Sequence, residues 1–170
     1  MIARAFAIGG IVACIAALAW YLGSPLFIRT TVIEAFPTIA PAVAAATASA
    51  AASNTAPAAA TPMTIATGQL QTVDAIHNGT GAVLLVRTGG SAVVRFETVA
   101  ITNAPDVHVY LSRETGGKWT EATSVYLGSL KATNGSFNYA VPAETDLSVI
   151  RSVVVWCRQF SVLVTWADLR

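Results

Sequence analysis

The hydrophobic positions near the N-terminus form one long uninterrupted run. Residues 5–22 contain no charged side chain, and the apolar character continues to residue 28. A helix of about 18 apolar residues is long enough to cross the hydrocarbon core of a bilayer. Trp20 and Tyr21 lie near the end of the run, where aromatic side chains prefer the membrane–water interface. The pattern predicts a transmembrane signal anchor over residues 1–28.

Two processing events compete with an uncleaved anchor. A signal peptide has a shorter apolar core and is removed after small residues. The tripeptide before Cys14 resembles a bacterial lipoprotein cleavage site, but the apolar residues continue well beyond this cysteine. Arg4 and Arg29 flank the run on opposite sides, so the positive-inside rule does not decide the orientation. The short N-terminal flank favours a single-pass protein of the cell membrane whose main domain is extracytoplasmic.

After residue 62 the pattern changes to short β-rich runs separated by turn residues such as Asn78-Gly79 and Asn134-Gly135. The segment from Val93 to Glu97 alternates between hydrophobic and polar residues after its first residues, which is typical of a strand with one packed and one wet face. We therefore predict an all-β domain over residues 63–170, a sandwich or barrel of about eight short strands. The predicted strands are residues 64–72, 81–88, 92–98, 107–112, 124–128, 137–140, 149–156 and 160–166.

Residues 29–62 separate the two patterns. They are interpreted as a membrane-proximal segment followed by a linker, because residues 38–62 consist almost wholly of Ala, Thr, Ser and Pro without a charge. Scattered prolines interrupt any long helix there, and the large apolar residues of a packed face are missing.

The last β-rich run, from Val153 to Leu169, contains Cys157, which is the only cysteine outside the first twenty residues. A single strand of that length would exceed the usual size. We therefore predict a break near Cys157, which places the thiol at a strand end beside a hairpin turn. Outside the cytoplasm a cysteine without a partner stays free, pairs between chains or binds a ligand.

Charge and motifs exclude several function classes. The formal net charge is +1 and only 11% of residues are charged, without a basic stripe, so nucleic-acid binding is not expected. The chain has no Gly-rich phosphate loop and no Gly-x-Ser-x-Gly elbow. Because no catalytic constellation is present, we expect that the chain is not an enzyme by itself.

The β-rich part of the sequence contains six ordered blocks, which include the following segments: His77-Asn78-Gly79-Thr80, Arg95-Phe96-Glu97, Pro105-Asp106-Val107-His108-Val109-Tyr110, Leu127-Gly128-Ser129-Leu130-Lys131, Gly135-Ser136-Phe137-Asn138-Tyr139 and Trp156-Cys157-Arg158-Gln159-Phe160. Together the blocks resemble the DM-thirteen domain, a family also called electron-transfer DM that occurs beside DOMON domains. The N-terminal pattern resembles the membrane-anchored bacterial members. Ala104 departs from the family, which usually has Gly there, so we expect strain of about 1 kcal/mol if that position has a positive φ.

The resemblance implies a redox or electron-transfer role centred on Cys157, since family members carry a cysteine there. A thiolate is the reactive form, and Arg158 would favour it if its side chain turned the same way. A redox partner or an envelope protein would then be the binding partner. The alternative is a non-enzymatic binding or structural module at the cell surface, in which Cys157 only packs between Trp156 and Phe160.

Two histidines and one aspartate are the other candidate site residues. His108 lies mid-strand and shares a face with Asp106 and Tyr110, while His77 precedes a turn. Together with Cys157, the histidines would suit copper, zinc or haem iron, but no close ligand spacing is present. Hydrogen-bonded or surface histidines, and a turn-capping Asp106, are the competing interpretations.

Overall fold

The computed structural model describes residues 2–37 and 61–170. The linker predicted within residues 29–62 therefore lies largely outside the described residues. A helix, α1, extends over Ile2–Phe27. The nine strands in the described residues are β1 Thr31–Ile33, β2 Met63–Gln69, β3 Gly79–Thr88, β4 Ser91–Ile101, β5 Val107–Ser112, β6 Ser124–Ser129, β7 Asn134–Val141, β8 Ser152–Cys157 and β9 Val162–Asp168. Two short 3-10 helices, Glu121–Thr123 and Leu147–Val149, precede β6 and β8.

Two sheets form the β-domain, as expected for a sandwich. The five-stranded sheet has the order β1-β7-β4-β3-β2, and the four-stranded sheet has the order β6-β5-β8-β9. All pairings are antiparallel except the one between β1 and β7. The prediction of a β-rich fold is confirmed, and every one of the eight predicted strands overlaps an observed strand.

The core lies between the inner faces of the two sheets. Phe96 stacks on Phe137 with ring centroids 5.1 Å apart, and the edge of Tyr139 meets both rings. Valines at alternate positions of the opposite sheet, such as Val109 and Val155, are fully buried against them. This alternation follows from the two-residue period of a strand, which places every second side chain on the same face.

Strand β1 was not predicted, because three residues with mostly exposed side chains carry no hydrophobic period. It pairs in parallel with β7, where Val32 lies opposite Gly135. Gly135 has a φ of 109°, and a Cβ at this position would overlap the carbonyl oxygen of Val32. A glycine is therefore required there for β1 to approach the sheet.

The segment after β1 covers the outer face of the five-stranded sheet. Alternation in β4 predicts a solvent-exposed Arg95, yet this side chain is only 5% exposed. Its guanidinium donates to the carbonyl of Ala35 at 3.0 Å and lies over the ring of Phe36. It also pairs with Glu97. The prediction of a wet face was wrong here, because residues that precede the domain in sequence fold back over it.

The remaining sequence predictions on the backbone have clear outcomes. Ala104 has no positive φ, so the expected strain is absent, whereas Asp106 adopts a φ of 59°. Asp tolerates this left-handed conformation better than most side chains. A search of the described residues finds no helix that combines the length and the hydropathy needed to cross a membrane, so the transmembrane anchor over residues 1–28 is not confirmed.

Candidate functional site

Cys157 ends β8 and points into the core. It lies opposite Val107 of β5, its side chain is 0% exposed, and its thiol donates a hydrogen bond to the carbonyl oxygen of Pro105 at 2.8 Å. A tight turn follows, in which Ser161 has a φ of 52°. The predicted break in the C-terminal run is confirmed. The thiol is sealed from solvent on the inner face of the four-stranded sheet.

The aromatic neighbours expected around the thiol lie elsewhere. Trp156 points to the outer face of the same sheet, because consecutive strand residues face opposite ways. Phe160 lies in the turn and is largely exposed. The packing partners of Cys157 are instead the aliphatic side chains of the core.

Neither His77 nor His108 forms a hydrogen bond with the Cys157 thiol. His108 lies opposite Trp156 and shares its outer face, so the sheet separates the imidazole from Cys157. His77 pairs with Asp74 at 2.7 Å. Within residues 2–37 and 61–170 no three His, Cys, Asp or Glu side chains converge on a point where a metal could bind. Cys157, His77 and His108 therefore do not together form a copper or zinc site.

The outer face of the four-stranded sheet carries a group of aromatic rings, which we call the outer-face aromatic cluster: Tyr110, Trp119, Tyr126 and Trp156. Tyr110 stacks on Trp119 at 4.5 Å, and Tyr126 lies 5.3 Å from Tyr110. Trp119 meets Trp156 edge-on at 4.9 Å. Such offset and edge-to-face contacts are the preferred arrangements of aromatic pairs. The four rings form a continuous path across three strands and a loop.

The loop of residues 113–120 brings Trp119 onto this face. The Ser112 hydroxyl donates to the carbonyl of Lys118 at 3.0 Å, and the Gly116 amide donates to the Asp168 carboxylate at 2.8 Å. Gly117 has a φ of 73° and packs so closely on Leu163 that a Cβ would clash. These contacts fold the loop over the sheet and fix Trp119 against Tyr110.

Arg158 points to the aromatic cluster and away from the thiol that it was expected to activate. Its Nε donates to the Tyr110 hydroxyl at 2.7 Å, and its guanidinium carbon lies 4.7 Å from the centre of the Tyr126 ring. Burial raises the pKa of Tyr110, and the hydrogen bond from Arg158 opposes only part of that effect. Tyr110 therefore remains a neutral phenol near pH 7.

Asp106, His108 and Tyr126 form a hydrogen-bonded chain beside the cluster. His108 Nε2 lies 2.6 Å from Asp106 Oδ1, and His108 Nδ1 lies 3.0 Å from the Tyr126 hydroxyl. A carboxylate only accepts, so Nε2 carries the proton of this hydrogen bond, and Nδ1 of a neutral ring would accept from the phenol. The predicted shared face of Asp106 and His108 agrees with this geometry, in which Asp106 does more than cap a turn.

The sequence signals for these residues differ in strength. Period-2 alternation in β5 was enough to place His108 and Tyr110 together. Trp119 lies in a loop without any period, and Tyr126 reaches His108 only through the pairing of β5 with β6. Sequence reasoning could not assign either aromatic residue to the cluster.

Comparison with known protein families shows which family this sequence belongs to. Residues 69–169 match the family model described as electron transfer DM13. Searches against curated proteins and against solved structures give no match. The matched region covers all four rings of the cluster together with Cys157, His108 and Asp106, and it is more than half of the chain. The chain therefore belongs to the electron transfer DM13 family.

Proposed function

We propose that this chain is a redox module that moves single electrons through the outer-face aromatic cluster, and that Cys157 packs the core without taking part. The family assignment supports a redox-related role. The observation that carries the choice of route is the continuous contact of Tyr126, Tyr110, Trp119 and Trp156.

The aromatic cluster suits one-electron chemistry better than the thiol does. Tyr and Trp are among the side chains that lose a single electron most readily, and adjacent rings in van der Waals contact exchange an electron without large movement of the protein. Tyr126 is 45% exposed, so the path opens to solvent at one end. A soluble or membrane-bound redox partner would exchange electrons there.

The burial of Cys157 supports a packing role. Thiol–disulfide exchange requires a thiolate that an incoming disulfide reaches, so both ionisation and access matter. Cys157 has no exposed surface, and its proton is held by the Pro105 carbonyl. Arg158, the cation next to it in sequence, is engaged on the opposite face.

The location at the cell membrane, with the domain outside the cytoplasm, is part of the same proposal. Its support is the uncharged run of residues 5–22, which ends at Trp20 and Tyr21. Full-length protein should then remain with washed membranes, and protease added to intact cells should shorten the chain, as seen on a denaturing gel. Recovery of the full-length chain in the soluble fraction would contradict the location and leave the electron route unaffected.

Photochemical oxidation tests the electron route. A soluble Ru(III) polypyridyl complex, generated by a light flash, would oxidise the full chain in a Trp20→Phe, Tyr21→Phe background. We expect an initial tryptophan radical that converts into a tyrosyl radical, and Trp119→Phe should slow that conversion at least several-fold. Tyr139→Phe is the control, because Tyr139 pairs with Phe96 and Phe137 between the two sheets and with none of the four cluster rings in the close pairs of the described residues. Equal kinetics in the two variants, or no protein radical, would refute the route.

A second candidate is a binding or structural module at the cell surface. The sealed thiol favours it, since a packing cysteine needs no redox chemistry, and exposed Tyr126 and Phe160 would serve as contact residues. An envelope protein or polymer that protects these two side chains from chemical labelling, combined with a failed photochemical test, would establish this module instead.

A further inference from the structure

We propose that Tyr126 is a proton-coupled electron donor, with His108 as the acceptor of its phenolic proton and Asp106 as the group that holds the imidazole. This inference rests on the proposed function, because it names the terminal donor of the aromatic cluster. It couples the transfer of the electron to the transfer of a proton from Tyr126 to His108.

The hydrogen-bond polarity fits a proton transfer from the phenol to the imidazole. The Tyr126 hydroxyl is 3.0 Å from His108 Nδ1, within the usual hydrogen-bond distance. The competing donor, Ser129 Oγ, is 3.5 Å from the same nitrogen. Asp106 Oδ1 accepts a hydrogen bond from Nε2–H at 2.6 Å, which fixes the tautomer and stabilises an imidazolium once it forms.

The reaction balances within these three residues and one oxidant. Tyr126 gives one electron to a high-potential one-electron oxidant, either directly or through an oxidised ring of the cluster. Its O–H bond breaks, and the proton forms an N–H bond at His108 Nδ1. The oxidant is reduced by one electron, and the products are a neutral phenoxyl radical and an imidazolium paired with Asp106. Reduction of the radical returns the proton to the phenol.

Arg158 favours the loss of the proton together with the electron. Its guanidinium carbon lies 4.7 Å from the centre of the Tyr126 ring, so a positive charge that accumulated on the ring would be repelled. Release of the phenolic proton together with the electron keeps the ring neutral. The cation therefore disfavours a stepwise oxidation through a phenol radical cation.

The other tyrosines of the β-domain lack a base. The Tyr110 hydroxyl accepts a hydrogen bond from Arg158, a donor that takes up no proton. The Tyr139 hydroxyl donates to the Ser129 carbonyl at 3.0 Å and is buried in the core. Among the tyrosines of residues 61–170, only Tyr126 is both exposed to solvent and hydrogen-bonded through its hydroxyl to an imidazole.

The test uses the same flash experiment on the full chain in the Trp20→Phe, Tyr21→Phe background. We expect the rise of the tyrosyl radical to slow in deuterated solvent and to disappear in Tyr126→Phe, while Tyr139→Phe leaves it unchanged. His108→Gln keeps a hydrogen-bonding side chain but removes the base, so the rise should slow at least about 100-fold, the low end of general-base effects. It should also become dependent on the concentration of buffer base.

Asp106→Asn provides a second variant whose side chain is half exposed, so the fold should tolerate it even if His108→Gln does not fold. The neutral amide no longer stabilises an imidazolium, and we expect a slower rise there as well. An unchanged rise in the folded variants, or a tyrosyl radical that persists in Tyr126→Phe, overturns the inference. If Trp119→Phe still alters the kinetics in that case, the electron route stands and only the assignment of Tyr126 and His108 as proton-coupled donor and acceptor is wrong.

Discussion

Substitutions of Cys157 distinguish two contributions of its thiol to stability, namely packing in the core and the hydrogen bond to Pro105. From the sequence alone, a hydroxyl in an apolar site should cost more than a methyl group, so Cys157→Ser would destabilise the domain more than Cys157→Ala. The structure reverses this expectation. The thiol donates to the Pro105 carbonyl at 2.8 Å, and a serine hydroxyl at the same position keeps that donor.

The magnitudes follow from what each variant removes. Cys157→Ala leaves a small cavity in a fully buried position and deprives the Pro105 carbonyl of its donor, for a total cost of about 1–3 kcal/mol. Cys157→Ser retains the hydrogen bond at a slightly longer distance, so it should be more stable than Cys157→Ala by about 0.5–1 kcal/mol. Cys157→Val restores volume without a donor and isolates the hydrogen-bond contribution.

Urea unfolding of the full chain, followed by tryptophan fluorescence, measures the order. The transition midpoints compare stability directly as long as the slopes agree among the variants. A lower midpoint for Cys157→Ser than for Cys157→Ala would show that the Pro105 contact contributes nothing. Thiol titration of the folded protein with a polar reagent, in a Cys14→Ser background, should detect no reactive cysteine until urea is added.

Three further outcomes are expected. Gly135→Ala should displace β1, because its Cβ overlaps the Val32 carbonyl, and limited proteolysis near residue 33 should accelerate while the core resists. Arg95→Met should lower the free energy of unfolding by about 1–3 kcal/mol, since Glu97 and two carbonyls lose their donor; an effect no larger than that of Glu97→Gln would contradict this. Hydrogen bonds from the backbone and ring of His77 lower the pKa of Asp74 to about 2. Because its pKa is lower in the folded state, the Asp74 carboxylate stabilises the loop at pH values above the usual carboxyl pKa. The protection of the loop amides against exchange, corrected for the intrinsic exchange rate, should therefore fall as pH falls from about 4 towards 2, and Asp74→Asn should abolish that pH dependence.

The strands were predictable because their signal is local. Short β-rich runs between turn residues mark most of the predicted strands, and the turn after Cys157 follows from the improbable length of the run. The two sheets were not assigned strand by strand, because strand order depends on pairings between distant residues such as β5 with β8. Burial of Arg95 was missed for the same reason, since it depends on residues 34–36.

The candidate site shows the same division. His108 and Asp106 were predicted to share a face, because they are two residues apart on one extended segment. The contact of Tyr126 with His108 requires the neighbouring strand, and Trp119 arrives from a loop held by Gly117 and Asp168. A site whose side chains come from three separate segments produces no periodic sequence pattern that could be recognised.

The parallel pairing of β1 with β7 changes what a cut in the chain would do. Strands β1 and β2 lie at opposite edges of one sheet, and residues 34–62 join them. Cleavage within that connection would leave the two pieces associated through β1, so the covalent link acts mainly as a source of effective concentration for docking. Lengthening the connection should weaken docking only slowly, by about 0.6 kcal/mol for each doubling. After cleavage, the β-domain would separate from α1 only when β1 dissociates from β7. The rate of proteolysis is therefore only an upper limit for the rate of release.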